Sequence, residues 1–169
     1  MTTTPVDAFE QSLADLPVRI RRTATDDLDE TLEACLDPPT IGVALPFDDI
    51  SLADYPITLN PTGEELLAAS TGVTAGGPAI AEYGSIVVTS RFDGTEHTSL
   101  YPDKHVIVLA ASDIVPTLAN AISELEEAID DGLTSAVITT GPSATADMGA
   151  PVYGAHGPEE VDVIILTDR

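Results

Sequence analysis

Two short segments near the carboxyl end of the chain carry residue types that are suited to chemistry. The first, GPSATAD at residues 141–147, combines a tight turn at Gly141 with two hydroxyl groups and a carboxylate. Its backbone N–H groups could bind an anion, although it lacks the lysine of a P-loop and the glycine spacing of a dinucleotide site. Alternatively, Ser143 and Thr145 satisfy their own turn and Asp147 caps a nearby element. The residues alone leave both interpretations open.

The second segment is the turn His156-Gly157-Pro158, which holds one of only three histidines. An imidazole placed near the first loop could shuttle protons or hold a carboxylate. The alternative is a turn histidine that is satisfied by the backbone. The other histidines, His97 and His105, form no metal-ligand spacing with it, so we predict no metal site.

A third candidate is the turn Glu82-Tyr83-Gly84, which we expect to join two paired strands, 79–81 and 85–89. A partly buried Glu82 could take part in acid–base or nucleophilic chemistry. An exposed turn carboxylate is the alternative in a chain with 29 acidic residues. Beyond the second strand, Arg91 could orient a substrate carboxylate in a bidentate pair. It could equally pair with Asp93.

The elements that must position these residues belong to an α/β fold. Four β-branched runs show little alternation, which is typical of strands buried on both faces in a parallel or mixed sheet covered by helices. They are 85–89, 105–110, 135–139 and 161–166. Residues 41–46 predict an earlier strand, and Thr62 with Glu65 forms a capping box for a helix through Ala69.

A strong helix is predicted between the second and third of these runs. It should be capped by Ser112 or Asp113, with Pro116 in its first turn and Gly132 at its end. Its apolar stripe comprises Ile114, Leu118, Ile122, Leu125 and Ile129. We therefore expect a right-handed βαβ unit, from which the loop 141–147 leaves the carboxyl end of a parallel strand, where ligands bind in open α/β sheets.

The domain organisation follows from the same patterns. Residues 1–40 are predicted to form an N-terminal helical segment, with helices at 6–16 and 25–36, packed on a single α/β domain at 41–169. The sequence contains no stretch of 18 apolar residues, so we predict no membrane span. The amino terminus does not resemble a signal peptide. The single Cys35 excludes an internal disulfide and a cysteine-held iron–sulfur cluster. We expect a cytoplasmic protein.

Charge is the strongest compositional signal, with 29 acidic residues against six basic ones and a net charge of −23. A hydrophobic fraction of 43% is nevertheless that of a folded chain. Molar salt would screen the self-repulsion, because the Debye length then falls to about 3 Å. We therefore expect a halophilic protein. Six cations are too few for the basic patch that nucleic-acid binding requires.

Four segments in order resemble the LUD-domain family of lactate-utilisation proteins, over residues 72–169. They are AIAEYGSIVV, HVIVLAASDIVPTL, TTGPSATAD and YGAHGPEEVDVIIL. The resemblance implies a Rossmann-like fold similar to that of ribose-phosphate isomerases and coenzyme A transferases. It also implies a subunit that binds no cofactor itself and works with iron–sulfur partner proteins in oxidising L-lactate, a small organic acid, to pyruvate. The acidic composition suggests a divergent, haloarchaeal-type member.

The resemblance favours three catalytic candidates, Glu82, Asp147 and His156. The ligand-binding candidates are Gly141, Ser143, Thr145, Gly157 and Arg91. Glu82 lies in a turn that is similar to the one carrying the acyl-accepting glutamate of coenzyme A transferases.

Three positions depart from the family pattern. Ala144 stands where arginine is usual, Tyr83 where threonine is usual and Asp162 where many members have histidine. Ala144 in particular suggests a different substrate. Two other functions therefore stay open: an independent enzyme acting on a sugar phosphate or thioester, and a non-catalytic interaction module.

Overall fold

The computed structural model describes residues 3–169, apart from the side chain of Asp147. The helices are α1 (Pro5–Leu13), α2 (Leu28–Glu33), α3 (Gly63–Ala68), α4 (Thr95–Leu100) and α5 (Leu118–Asp130). The strands are β1 (Val18–Thr23), β2 (Thr40–Gly42), β3 (Thr58–Leu59), β4 (Thr71–Ala75), β5 (Ala79–Ile80), β6 (Ser85–Thr89), β7 (Lys104–Ala110), β8 (Ile114–Val115), β9 (Ala136–Thr139), β10 (Ala144–Asp147), β11 (Ala150–Tyr153) and β12 (Glu160–Leu166).

The central sheet has six strands in the order β1-β12-β7-β4-β2-β3, and every pair in it is parallel. A second sheet of four strands, in the order β8-β5-β6-β9, is mixed. Strands β10 and β11 form an antiparallel hairpin. The prediction of an α/β fold with a parallel or mixed sheet flanked by helices is confirmed.

The core lies on both faces of the central sheet because successive side chains of a strand point to opposite sides. On one face Ile107 and Ile165 pack with Phe9 and Leu13 of α1. On the other face Val106, Val108, Ile164 and Leu166 pack with Leu28 and Leu32 of α2. All of β7, and all of β12 after its first residue, are buried. This explains the continuous apolar runs in the sequence.

Several local predictions are confirmed. Strand β6 has the predicted bounds, and the turn before it connects it to β5. Thr62 and Glu65 form the capping box of α3. Gly132 follows the end of α5 with a φ of +103°, the left-handed conformation that favours glycine after a helix.

The helical prediction for residues 1–40 is incomplete, because β1 lies between α1 and α2 and pairs with β12. Its sequence, VRIRRT, alternates apolar and basic residues. It therefore lacks the continuous apolar run by which the other strands were predicted. The strand predicted at 41–46 is also shorter than expected, since β2 ends at Gly42.

The predicted βαβ unit is wrong. After α5 the chain does not return to the central sheet, because β9 joins the second sheet antiparallel to β6. Strand β9 is exposed or half-buried along its length, whereas a central parallel strand would be buried on both faces. The loop 141–147 therefore does not leave a parallel strand.

The start of α5 also differs from the prediction. The hydroxyl of Thr117, not Ser112 or Asp113, accepts the N–H of Asn120 and caps the helix. Ile114 belongs to β8, which pairs with β5, and Pro116 precedes the helix. Of the predicted apolar stripe, Leu118, Ile122 and Ile129 are exposed.

Polar side chains are buried near the amino ends of the central strands. Asp162 is 1% exposed, and its Oδ1 accepts the Nε–H of Arg19 at 2.7 Å. The ammonium of Lys104 lies 3.4 Å from Asp162 Oδ2 and donates to Asp37 at 3.1 Å. The position where the family pattern has histidine is therefore the buried centre of an ion-pair network whose outer members, Arg19 and Asp37, are exposed.

His105 is the other buried ionisable side chain of this sheet. It lies 3% exposed on β7, and its Nε2 is 2.8 Å from the hydroxyl of Thr74 on β4. Burial lowers the pKa of His105 to about 3, because a charged imidazole would lose its hydration. The histidine is therefore neutral and structural at physiological pH.

None of the helices within residues 3–169 is long and apolar enough to cross a membrane. Among the side chains that the structure describes, no cluster of three or more histidine, cysteine or acidic residues could hold a metal ion.

Candidate functional site: a cleft where the two sheets meet

The chain crosses from one sheet to the other at Gly76 and Gly77, immediately after β4. The N–H of Gly76 donates to Val108 of β7, in the central sheet, at 3.2 Å. The N–H of Gly77 donates to Val87 of β6, in the second sheet, at 3.0 Å. A Cβ atom at Gly76 would lie 2.5 Å from Ile86 Cγ2 and 2.7 Å from Ile107 Cγ2, so no larger residue fits between the sheets.

A cleft of about 360 Å³ opens at this crossover. Its floor is formed by residues that follow β2 and β4, and its walls by β6, the segment after β6 and helix α5. Ligands of α/β proteins bind beyond the carboxyl ends of parallel strands, and the cleft lies there. Its volume is in the range of small-molecule sites.

Arg91 supplies the positive charge of the cleft. Its Nε donates to the hydroxyl of Thr89 at 3.2 Å, and no carboxylate oxygen among the described side chains lies within 4.0 Å of it. Four of the other cations are held in ion pairs: Arg19, Arg22, Lys104 and Arg169. The alternative, in which Arg91 pairs with Asp93, is therefore not formed, and the guanidinium can bind an anionic ligand.

Three carboxyl groups share the cleft with Arg91. Asp93 Oδ1 accepts the N–H and the hydroxyl of Thr95 and so holds the start of α4. Burial raises the pKa of Asp113, which is half-buried behind Gly77. Desolvation, followed by repulsion from Asp113 and Glu127, raises the pKa of Glu124. In both groups the raised pKa has the same main cause, since burial in the cleft removes water from the carboxylate.

The loop 141–147 and the turn at His156 lie side by side at the base of the β10–β11 hairpin. Ser143 joins them: its N–H donates to Pro158 at 2.9 Å, its carbonyl accepts the N–H of Gly154 at 2.9 Å, and its hydroxyl accepts the N–H of His156 at 3.2 Å. A Cβ atom at Gly157 would lie 3.2 Å from Ser143 Cβ. The hydroxyl of Ser143 thus satisfies a backbone donor of the neighbouring His156 turn and not one of its own turn.

The hairpin residues do not line the Arg91 cleft. Thr145, Ala144 and the side chain of His156 are exposed, and Gly141 packs beside Leu16 and Val18. The side chain of the predicted catalytic candidate Asp147 lies outside the described residues. The structure therefore brings the loop and the turn together, but separately from the cleft.

Glu82 is exposed, which agrees with the second of the two interpretations, an exposed turn carboxylate. Its Oε1 accepts the N–H of Leu118 at 2.8 Å and so satisfies a free donor in the first turn of α5. Among the described contacts, Glu82 has the role of a helix cap. Of the predicted site residues, Arg91 lies in the cleft.

Sequence reasoning missed Gly76, Gly77, Asp113 and Glu124 as parts of a site. The sequence does contain a signal for the crossover, because Gly-Gly-Pro at 76–78 directly follows the run that forms β4. That run, TGVTA, contains small residues instead of a long β-branched segment, so its sequence does not predict a strand. Without β4 its carboxyl end could not be predicted.

The fold and the cleft define an α/β protein with a small-molecule-sized site at the carboxyl ends of parallel strands. The sequence model of the LUD domain matches residues 58–166, which include β4, the crossover, Arg91 and α5. The chain belongs to the LUD-domain family.

Several relatives are named lactate utilization protein C. The chain is 27% identical to the protein of Macrococcus caseolyticus over 164 residues, which are 87% of this chain and 71% of that one. It is 33% identical to those of a Geobacillus species and of Bacillus subtilis over 105 residues, 60% of this chain and 44% of each relative. The match thus spans less than half the length of these two. All three are bacterial, so the haloarchaeal-type membership stays a prediction.

A solved structure supports the same fold. The crystal structure of a DUF162 family protein from Deinococcus radiodurans superposes with a TM-score of 0.72 at 20% identity and covers 96% of each chain. At that identity the likeness concerns the fold alone.

Proposed function

We propose that this protein is a subunit of a lactate-utilisation system and that its cleft binds the carboxylate of a small 2-hydroxy acid. The similarity to proteins named lactate utilization protein C, which reaches 87% of the chain in one relative, is the observation that supports this role. The proposed partners are iron–sulfur proteins that carry out the electron transfer of lactate oxidation to pyruvate.

The proposed binding mode rests on Arg91. A guanidinium presents parallel N–H donors that match a carboxylate in a bidentate pair, and Arg91 lines the cleft without an acidic partner among the described side chains. The hydroxyl group of a 2-hydroxy acid would donate to a cleft carboxyl group such as Asp113. A ligand with one carboxylate and one hydroxyl donor thus fits the charges of the cleft.

Affinity purification of the tagged chain from its native cells tests the partner proposal. We expect proteins with ferredoxin-type cysteine motifs and bound iron to co-purify. Deletion of the gene should abolish growth on L-lactate but not on pyruvate. Normal growth of the deletion strain on L-lactate would contradict the proposed role.

A further inference from the structure

The four outer strands of the two main sheets differ in how their free edges are protected. Exposed edges invite pairing with another chain unless they are short, charged or covered. Strands β3 and β8 have two residues each. Strand β1 carries Arg19, Arg21 and Arg22. Strand β9, with four uncharged residues, has neither form of protection.

The backbone of β9 presents free hydrogen-bonding groups at this edge. The N–H of Ser90 donates to Ser135 at 3.0 Å, and the register continues with Val137 opposite Val88 and Thr139 opposite Ile86. Because an antiparallel strand directs alternate residues to opposite neighbours, Ala136 and Ile138 direct their N–H and C=O groups away from β6.

Apolar side chains surround the same edge. Val137 is 38% and Ile138 46% exposed. Ile138 lies opposite Val87, which lines the cleft together with Leu125 of α5, so Ile138 and α5 share one face of the second sheet. Val137 and Ile138 therefore leave the β9 edge apolar and uncovered.

The absence of charge along the β9 edge favours one kind of partner, a second copy of this chain. No charged residue lies between Leu133 and Ala146, although the chain has 29 acidic residues. Two copies can therefore approach edge to edge along β9 without placing carboxylates in contact there. A basic partner would find no opposite charge on this edge.

We propose that the free edge of β9 binds a second copy of this chain, with the two β9 strands pairing antiparallel about a twofold axis. Each copy then supplies the N–H and C=O groups that Ala136 and Ile138 of the other copy lack. The two four-stranded sheets become one continuous sheet of eight strands. Such a contact is isologous and closes at the dimer.

Sedimentation equilibrium in molar potassium chloride, where charge repulsion is screened, tests this pairing. We expect the wild type to be a dimer and Ile138→Lys to weaken dimerisation at least about tenfold, since each edge would then carry a desolvated charge. Leu67→Lys is the matched control, because Leu67 is 73% exposed on α3, and it should dimerise like the wild type. Matching far-ultraviolet circular dichroism spectra of the three proteins would show that folding is intact, whereas the thermal midpoint should fall when the dimer is lost.

Hydrogen exchange provides a second readout that does not depend on a variant. The amides of Ala136 and Ile138 should exchange more slowly as the concentration of the protein rises. A wild type that stays monomeric in molar salt would overturn the proposal. A dimer in which these two amides exchange at a rate independent of concentration would overturn it as well, because another surface would then form the contact.

Discussion

His105 and Asp162 show how burial changes what an ionisable side chain contributes. His105 is kept neutral inside the sheet, with a pKa of about 3 against an ordinary value of 6.5. Asp162 is equally buried but is compensated by Arg19 and Lys104. His105 therefore makes the stability of the fold depend on pH. Asp162 makes it depend on the ion pairs with Arg19 and Lys104.

His105 should destabilise the protein in acid. Below pH 6.5 the unfolded chain binds a proton at this histidine, whereas the folded protein does not until the pH approaches 3. The stability associated with neutral His105 is thus complete above 6.5 and is lost as the pH falls. Between these values the free energy of unfolding should change about 1.4 kcal/mol per pH unit more steeply in the wild type than in His105→Gln. Urea titrations at several pH values measure this difference, and equal slopes would contradict it.

Asp162→Asn should lower the free energy of unfolding by about 3–5 kcal/mol, because it leaves the buried ammonium of Lys104 with only the exposed Asp37 as its charged partner. Glu160→Gln is the matched control. Glu160 also pairs with Arg19, but its side chain is 55% exposed, and such pairs contribute about 0–1 kcal/mol. Denaturant unfolding of both variants makes the comparison. Similar losses in the two would show that burial does not decide the contribution of the network.

Helix α5 is held at its start by two acceptors from different parts of the chain. Thr117 accepts the N–H of Asn120, and Glu82 accepts the N–H of Leu118. Because Glu82 lies in the turn between β5 and β6, this bond fastens the helix to the second sheet. The helix in turn forms a wall of the cleft.

Glu82→Ala should therefore destabilise the protein by about 1 kcal/mol, the usual cost of losing a helix cap. Glu82→Gln keeps an oxygen acceptor and should lose less. Glu126→Ala, at an exposed position of the same helix, is the control and should have little effect. Thermal and urea unfolding measure the three variants. If Glu82→Gln stays folded but abolishes growth on L-lactate, Glu82 takes part in the chemistry, as the sequence suggested.

The sequence predicted those parts of the fold in which local pattern and tertiary environment agree. Strands β6, β7 and β12 are apolar because they are buried, and Thr62 caps α3 through neighbours in the chain. The central position predicted for β9 is wrong, since a β-branched run looks the same in the centre of a parallel sheet and at an exposed edge. Asp113 and Arg91 meet in one cleft only because the glycine crossover after β4 joins two sheets, and that long-range arrangement leaves no local pattern.

The chain as a whole combines a net charge of −23 with an ordinary apolar core. Like charges repel more strongly in the compact state than in the unfolded chain, and salt screens that repulsion. The midpoint of thermal unfolding should therefore rise substantially between dilute buffer and molar potassium chloride. Differential scanning calorimetry over a salt series measures it, with molar sorbitol as a control for water activity. A flat response to salt would remove the argument for halophilic adaptation.

Isothermal titration calorimetry with L-lactate tests the proposed role of the cleft most directly. It compares the wild type with Arg91→Gln and with Arg21→Gln, which changes a cation of β1 that also has no carboxylate within 4.0 Å among the described side chains. A charge-assisted hydrogen bond contributes about 1.5–3 kcal/mol, so Arg91→Gln should weaken binding at least about tenfold. Arg21→Gln should bind like the wild type. Unchanged affinity in Arg91→Gln, or no binding by the wild type, would contradict the assignment of the cleft.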